Sequence, residues 1–170
     1  WGSYNSYDAN SPITAVLKYL VNSNGLIVFS AGNDLLNNPS SENLTPLIDG
    51  SIENGLITVV GIDGNKQLYS GYDENGVIKG SNACGRAAAW CLAGDYVIGP
   101  LLSENNNGYV NFYGTSGAAP QVTAAAANVW HKYPWMTAKQ VKQTILTTAN
   151  YLPDGSPQGA PYNATYGWGE

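Results

Sequence analysis

The sequence predicts an α/β fold in which helices flank a mostly parallel sheet. Residues 26–30 and 56–60 form two continuous apolar runs of strand length. Strands without polar alternation are usually buried on both faces, as they are in a parallel sheet. An amphipathic helical pattern precedes the first run and another lies near the end of the chain, and helices that alternate with extended apolar segments are typical of α/β folds.

Composition indicates one globular domain and excludes two classes of partner. The chain has 170 residues, of which 44% are hydrophobic and only 11% are charged, a profile that suits a secreted or cell-surface protein. Its net charge is −5 and it carries no cluster of lysine and arginine, which argues against nucleic acid as a partner. No apolar run approaches the roughly 18 residues that a membrane span needs.

The first helix is predicted to begin at Ser11 and Pro12, where a hydroxyl can cap the helix and proline takes the first helical position. It ends at Asn24 and Gly25. Between these signals the apolar residues fall at i, i+3, i+4, i+7 and i+8, on one helical face. They are Ile13, Val16, Leu17, Leu20 and Val21.

The second half of the chain predicts a strand and two helices. The pattern between residues 64 and 99 is weak and indicates turns and short β segments, and residues 108–113 then form a short strand. Pro120 fits the first turn of an alanine-rich helix that Tyr133-Pro134 ends. Thr137 and Gln140 form a capping box for the last amphipathic helix.

Cys84 and Cys91 are the only two cysteines and lie seven positions apart. A metal site would need further ligands nearby, and the one histidine, His131, is distant in sequence. We therefore expect a disulfide formed in an oxidising compartment, with a pair of reduced, half-buried thiols as the alternative.

Ser116 stands at the head of the alanine-rich helix, where unpaired N–H groups and the positive end of the helix dipole would stabilise an oxyanion. It is either a nucleophile or an ordinary residue of a closely packed helix, and composition does not decide between the two. A G-x-S-x-G elbow would need glycine in place of Ala118, and an S-x-x-K motif would need lysine in place of Ala119.

A family resemblance favours the nucleophile. Residues 114–124 read GTSGAAPQVTA, which resembles the nucleophile motif of the subtilisin-like (subtilase, S8) serine peptidases, with Gly117 and Gln121 as departures from it. The Ala-Pro-Gln variant and the paired-cysteine segment SNACGRAAAWCLAG are similar to those of the bacterial autotransporter branch, which is secreted or displayed on the bacterial surface.

Further segments extend the resemblance over most of the chain. Residues 27–34 read IVFSAGND, similar to the family's strand and turn that place an asparagine, here Asn33, in the oxyanion hole. Residues 166–169 resemble the Gly-x-Gly near the end of the family's domain. The resemblance implies a three-layer subtilisin-like fold, of which residues 1–170 are the C-terminal portion of a single catalytic domain.

The resemblance also implies where a protein or peptide substrate binds. It assigns two walls of the primary specificity pocket, and it places Gly114 and Thr115 beside the nucleophile. The walls are Trp1, Gly2 and Ser3 on one side and Ser30, Ala31 and Gly32 on the other. Since neither wall carries a charge, we expect large apolar or aromatic side chains before the cleaved bond. The family needs no cofactor, and although structural calcium occurs in it, no acidic spacing here predicts a calcium site.

The triad aspartate and histidine of a subtilase precede its serine in sequence, and both would lie before the first residue of this chain. His131 is fifteen residues beyond Ser116, roughly 22 Å along one helix, whereas a general base must come within about 3 Å. We therefore expect the isolated chain to be inactive and to need the N-terminal part of the same catalytic domain as its partner. The alternative is a non-catalytic cell-surface adhesin or binding domain that retains the fold.

Overall fold

The structure is a computed structural model that describes residues 4–5, 7–73, 75–102, 108–155 and 161–170. Trp1, Gly2 and Ser3, the first predicted pocket wall, lie outside the described residues. In chain order the helices and strands of the described part are α1 Pro12–Asn22, β1 Ile27–Ser30, β2 Leu56–Ile62, β3 Ser70–Tyr72, β4 Ile78–Gly80, β5 Cys91–Asp95, β6 Val97–Leu102, β7 Tyr109–Tyr113, α2 Thr115–Lys132 and α3 Ala138–Thr148. Short 3₁₀ helices cover Ser41–Leu47, Ile52–Gly55 and Gly85–Trp90.

The central sheet is parallel, as the two apolar runs predict. Its strand order is β1-β2-β5, with Ile27 opposite Leu56 and Thr58 opposite Cys91. Every residue of β2 is buried, because this middle strand is covered on both faces. Two antiparallel pairs, β3–β4 and β6–β7, lie outside this sheet.

Helices pack on both faces of the sheet and complete three layers. On one face Ile57 and Val59 of β2 pack against α2 and α3, where Ala118 and Val122 belong to the same buried cluster. On the other face Leu56 packs with Leu17 of α1 and with residues of the 3₁₀ segments. The observed layers confirm the predicted fold class.

The small residues of α2 have a packing role, because this helix crosses close to β5. A Cβ added to Gly94 of β5 would lie 3.2 Å from the carbonyl oxygen of Ala118 and 3.3 Å from its Cβ. A larger side chain at either position would push the helix away from the sheet.

Two local predictions can be compared directly with the structure. The capping box of α3 is present, with the Thr137 hydroxyl accepting from the Gln140 N–H and the Gln140 side chain accepting from the Thr137 N–H. The prediction for Pro120 is wrong: α2 begins at Thr115, so Pro120 is its sixth residue rather than part of its first turn. Proline there has no N–H to donate to the carbonyl of Ser116.

Cys84 and Cys91 form a disulfide, and both residues are fully buried. The bond joins the residue before the 3₁₀ helix Gly85–Trp90 to the first residue of β5. No helix in the described part of the chain is long and apolar enough to cross a membrane.

Candidate active site

Ser116 is the second residue of α2 and is exposed at the mouth of a cleft. The chain reaches it through β7 and a turn at Gly114, whose φ of +125° is unfavourable for any residue with a side chain. The Gly114 N–H donates to the Tyr96 carbonyl at 2.9 Å. This turn presents the first N–H groups of the helix, which have no partner within the helix itself, to the cleft.

Asn33 reaches the same place from the end of β1. The Ala31 N–H donates to the Val59 carbonyl at 2.8 Å, so the chain stays tied to β2 just past the strand. Gly32 then turns the backbone with a φ of +107°. The next side chain, that of Asn33, therefore points toward the start of α2.

Thr115 orients the amide of Asn33. Its backbone N–H and its hydroxyl both donate to Asn33 Oδ1, at 2.9 Å and 3.0 Å, and the Gly32 N–H donates back to the hydroxyl oxygen at 3.2 Å. A backbone N–H can only donate, so the atom it meets must be the amide oxygen. The Nδ2 donor of Asn33 consequently faces the other way.

Two donors meet beside Ser116. A Cβ built on Gly114 would lie 3.3 Å from Asn33 Nδ2 and 3.7 Å from the backbone nitrogen of Ser116. Because residue 114 is glycine, no side chain stands between these two donors. The positive end of the α2 dipole adds to the potential there, so the arrangement is suited to holding a developing negative charge.

A cleft of about 910 Å³ runs from Ser116 past Asn33 to the hairpin β3–β4. Of the predicted pocket residues, Ser30, Gly32 and Thr115 line it, whereas Ala31 lies in the core and Gly114 is buried. Aromatic rings and a few charges form most of its remaining walls. These are Tyr4, Tyr69, Tyr72, Tyr96 and Tyr113, with Asp34, Asp73 and Lys79.

Two of the charged residues in the cleft, Asp34 and Lys79, form an ion pair, and Tyr4 bonds Asp34. The Tyr4 hydroxyl donates to Asp34 Oδ2 at 2.5 Å, and Lys79 Nζ lies 3.3 Å from Asp34 Oδ1. These two donors, the tyrosine first, hold the pKa of the Asp34 carboxyl below its ordinary value. Burial raises the pKa of the Tyr4 hydroxyl. Tyr4 and Lys79 stand in no motif, and Asp34 ends the segment IVFSAGND. None of the three was predicted to line the cleft.

His131 lies in the last turn of α2, exposed, and on the same helix as Ser116. The structure thus does not bring the chain's one histidine to the serine. Among the described residues no three side chains of the metal-binding types His, Cys, Asp and Glu are grouped closely enough to hold a metal ion.

Comparison with protein families and curated proteins identifies relatives over most of the chain. The model described as "Subtilase family" matches residues 1–169. The Neisserial autotransporter lipoprotein NalP of Neisseria meningitidis is 36% identical over 156 residues, which cover 89% of this chain and 14% of that protein. The extracellular serine protease of Serratia marcescens is 31% identical over 166 residues, which cover 85% of this chain and 14% of that protein. The chain thus spans about one seventh of the length of these relatives.

Solved structures share the fold. The patellamide maturation protease PatA superposes with a TM-score of 0.67 at 16% identity, covering 99% of this chain and 56% of that one. The prenylagaramide maturation protease PagA has a TM-score of 0.65 at 16% identity, covering 90% and 50%. At such identities the likeness is one of fold alone, and it agrees with the three layers described above.

Proposed function

Because this chain belongs to the subtilase family, we propose that it is the C-terminal portion, residues 1–170, of the catalytic domain of a serine endopeptidase. Ser116 is the nucleophile, and Asn33 Nδ2 together with the Ser116 N–H forms the oxyanion hole. The observation that carries the proposal is that both donors lie beside Ser116 with no side chain of residue 114 between them. A domain that only binds a partner has no use for a fixed amide donor beside an exposed serine.

The proposed reaction is acyl transfer. A general base takes the proton of the Ser116 hydroxyl as its oxygen attacks the peptide carbonyl, and the carbonyl oxygen becomes an oxyanion held by the two donors. The base then protonates the departing amine, leaving an acyl group on Ser116. Water, activated by the same base, hydrolyses this ester and restores the serine.

The base has to come from another part of the protein. A second cavity, of about 620 Å³, lies on the other side of Ser116 between β1 and α2 and has an apolar lining. Its walls include Val28, Phe29, Ala119, Pro120 and Ala124. We propose that the N-terminal part of the same catalytic domain covers these residues and brings the base to Ser116. Like the extracellular protease of Serratia marcescens to which it is similar, the protein would act outside the cell, on protein or peptide substrates.

The assignment is tested by kinetics on the full-length protein. Ser116→Ala should abolish turnover and labelling by a fluorophosphonate. Asn33→Ala should lower kcat by about 10²–10³-fold with little change in KM, because the hydrogen bond forms only in the transition state. Loss of the oxyanion asparagine in subtilisin lowers kcat by this factor. A raised KM with unchanged kcat would make Asn33 a substrate-binding residue instead. A full-length protein that binds a surface ligand and is never labelled would favour the adhesin.

Substrate preference is a separate prediction. Ser30 and Gly32 carry no charge, and Tyr4 lines the same cleft, so a large apolar or aromatic side chain before the cleaved bond should be preferred. Lys79 lies in β4 and Asp73 follows β3, whereas Asp34 follows Asn33 and is bonded to both Tyr4 and Lys79, which offsets its charge. Cleavage profiling of a peptide library by the full-length protein measures the preference. Strict selection of arginine or lysine before the cleaved bond would contradict it.

A further inference from the structure

We propose that Asn82 is a positioning residue for the oxyanion hole; this inference rests on the function proposed above. Asn82 is fully buried and uses both ends of its amide. Its Nδ2 donates to the Ala31 carbonyl at 3.0 Å and to the Tyr4 hydroxyl at 3.1 Å. Its Oδ1 accepts from the N–H groups of Asp34 and Leu36, at 3.0 Å and 2.9 Å. One side chain thus holds residues on both sides of Asn33.

The segment that Asn82 holds needs such support. Residues 31–36 have no regular helical or extended structure apart from one isolated bridge, and two of them have left-handed backbones. These are Gly32, with a φ of +107°, and Leu35, with a φ of +57°. A left-handed non-glycine residue persists only where its surroundings enforce it. The bonds of Asn82 at residues 31, 34 and 36 enclose both of these turns.

Backbone hydrogen bonds from the strand-like segment 80–83 complete this support. The N–H of Asn82 donates to the Gly32 carbonyl at 2.9 Å, and the N–H of Gly80 donates to the Asn33 carbonyl at 3.3 Å. The Leu35 N–H donates to the Gly80 carbonyl at 3.2 Å, and the Ala83 N–H donates to the Leu36 carbonyl at 2.8 Å. The backbone of Asn33 is therefore fixed by residues 80–83, while its side chain is fixed separately by Thr115.

The side chain of Asn82 bonds Ala31, Asp34, Leu36 and Tyr4 and not Ser116. It therefore acts through the backbone placement of Asn33. If residues 31–36 relaxed, Asn33 Nδ2 would move away from the Ser116 N–H. A displacement of about 1 Å in a catalytic group can lower turnover by up to about 10²-fold. Loss of Asn82 should therefore lower kcat, and only as long as Asn33 is present to be positioned.

A double-mutant cycle on the full-length protein tests this role. Asn82→Ala alone should lower kcat by about 10- to 100-fold with little change in KM. In the Asn33→Ala background the same change should lower kcat by less than about threefold, because the donor it positions is gone. If Asn82→Ala lowers kcat by the same factor with and without the Asn33 side chain, the inference is overturned.

A second variant and a control make the cycle robust. Asn82→Asp keeps the shape and the acceptor oxygen but replaces the donating amide with a carboxylate oxygen that faces the Ala31 carbonyl. It should show the same coupling to Asn33→Ala if Asn82→Ala does not fold. Asn163 is also buried and bonds the backbone at Leu152, Thr165 and Tyr166. Asn163→Ala should lower the thermal stability and show no coupling to Asn33→Ala in kcat.

The same measurements separate this inference from the proposed function. One outcome is that Asn33→Ala lowers kcat as expected while Asn82→Ala lowers kcat by the same factor in both backgrounds. That result overturns the positioning role of Asn82 and leaves the proposed oxyanion hole intact. An unchanged kcat for Asn33→Ala overturns the oxyanion hole and the positioning role together.

Discussion

At the scale of single residues, Thr115 explains why the motif places a threonine directly before the serine. It makes three hydrogen bonds, two to Asn33 Oδ1 and one from the Gly32 N–H. The residue is fully buried, so these bonds form away from water, where they are stronger. In the proposed mechanism Thr115 would therefore orient the Asn33 donor before any substrate arrives, which is the condition for electrostatic catalysis.

Gly114 gives a sharp test at the same scale. Gly114→Ala should lower kcat of the full-length protein by at least about 10²-fold, because its methyl group would stand between the two donors. The left-handed φ should also cost about 1–3 kcal/mol of stability. Gly155 has a φ of +81° with open space around it, so Gly155→Ala should show the loss of stability with normal kcat. Equal kcat in both variants would show that the donors beside Gly114 do not hold the oxyanion.

At the scale of secondary-structure elements, α3 contains a buried cation. Lys142 is 4% exposed and donates to the Glu53 carbonyl at the 3₁₀ helix Ile52–Gly55. Burial lowers the pKa of its amine to about 8, with the nearby Glu53 carboxylate opposing the shift and Lys139 adding to it. Folding therefore disfavours the charged form of this lysine.

This shift predicts a pH dependence of stability. The unfolded chain keeps the proton on Lys142 up to a pH of about 10.5, whereas the folded chain releases it near pH 8. Unfolding thus takes up a proton between these values, and the free energy of unfolding rises with pH in this window. Relative to Lys142→Met, the wild-type protein should gain roughly 3 kcal/mol between pH 7 and pH 10.5. Urea unfolding across this range measures the difference, and parallel curves for the two proteins would contradict it.

The elements also show which features of the structure can be predicted from the sequence. The strands β1 and β2 follow from their continuous apolar runs, and the helices α1 and α3 from apolar periodicity. The Thr137 cap of α3 is present, whereas the predicted cap of α1 is wrong because the Ser11 side chain makes no capping hydrogen bond. The motifs point to Ser116 and Asn33.

The start of α2 at Thr115 agrees with the prediction that Ser116 stands at the head of the helix, whereas Pro120 lies inside α2 and not in its first turn. Asn82 has no local signal, since its partners at residues 31–36 are more than forty positions away. The hairpin β3–β4 consists of strands of three residues, too short for periodicity to show.

At the scale of the whole molecule, the described residues bring the proposed nucleophile Ser116 and its proposed oxyanion donors together, whereas His131 lies at the far end of α2. The 170-residue chain on its own should therefore not hydrolyse peptides. A fluorogenic peptide assay of the purified chain checks this, with Ser116→Ala and His131→Ala as controls. Hydrolysis that Ser116→Ala abolished and His131→Ala left intact would show that another group in this chain acts as the base.

The hydrogen bond between Asn33 and Thr115 joins residues 82 positions apart. In an extended or newly made chain this bond cannot exist, because β1 and α2 are far apart until the chain between them folds. Bringing such distant segments together is a slow, non-local step. Until then Ser116 has the reactivity of any other serine. The proposed oxyanion hole can therefore form only once residues on both sides of this long separation have been made and folded together.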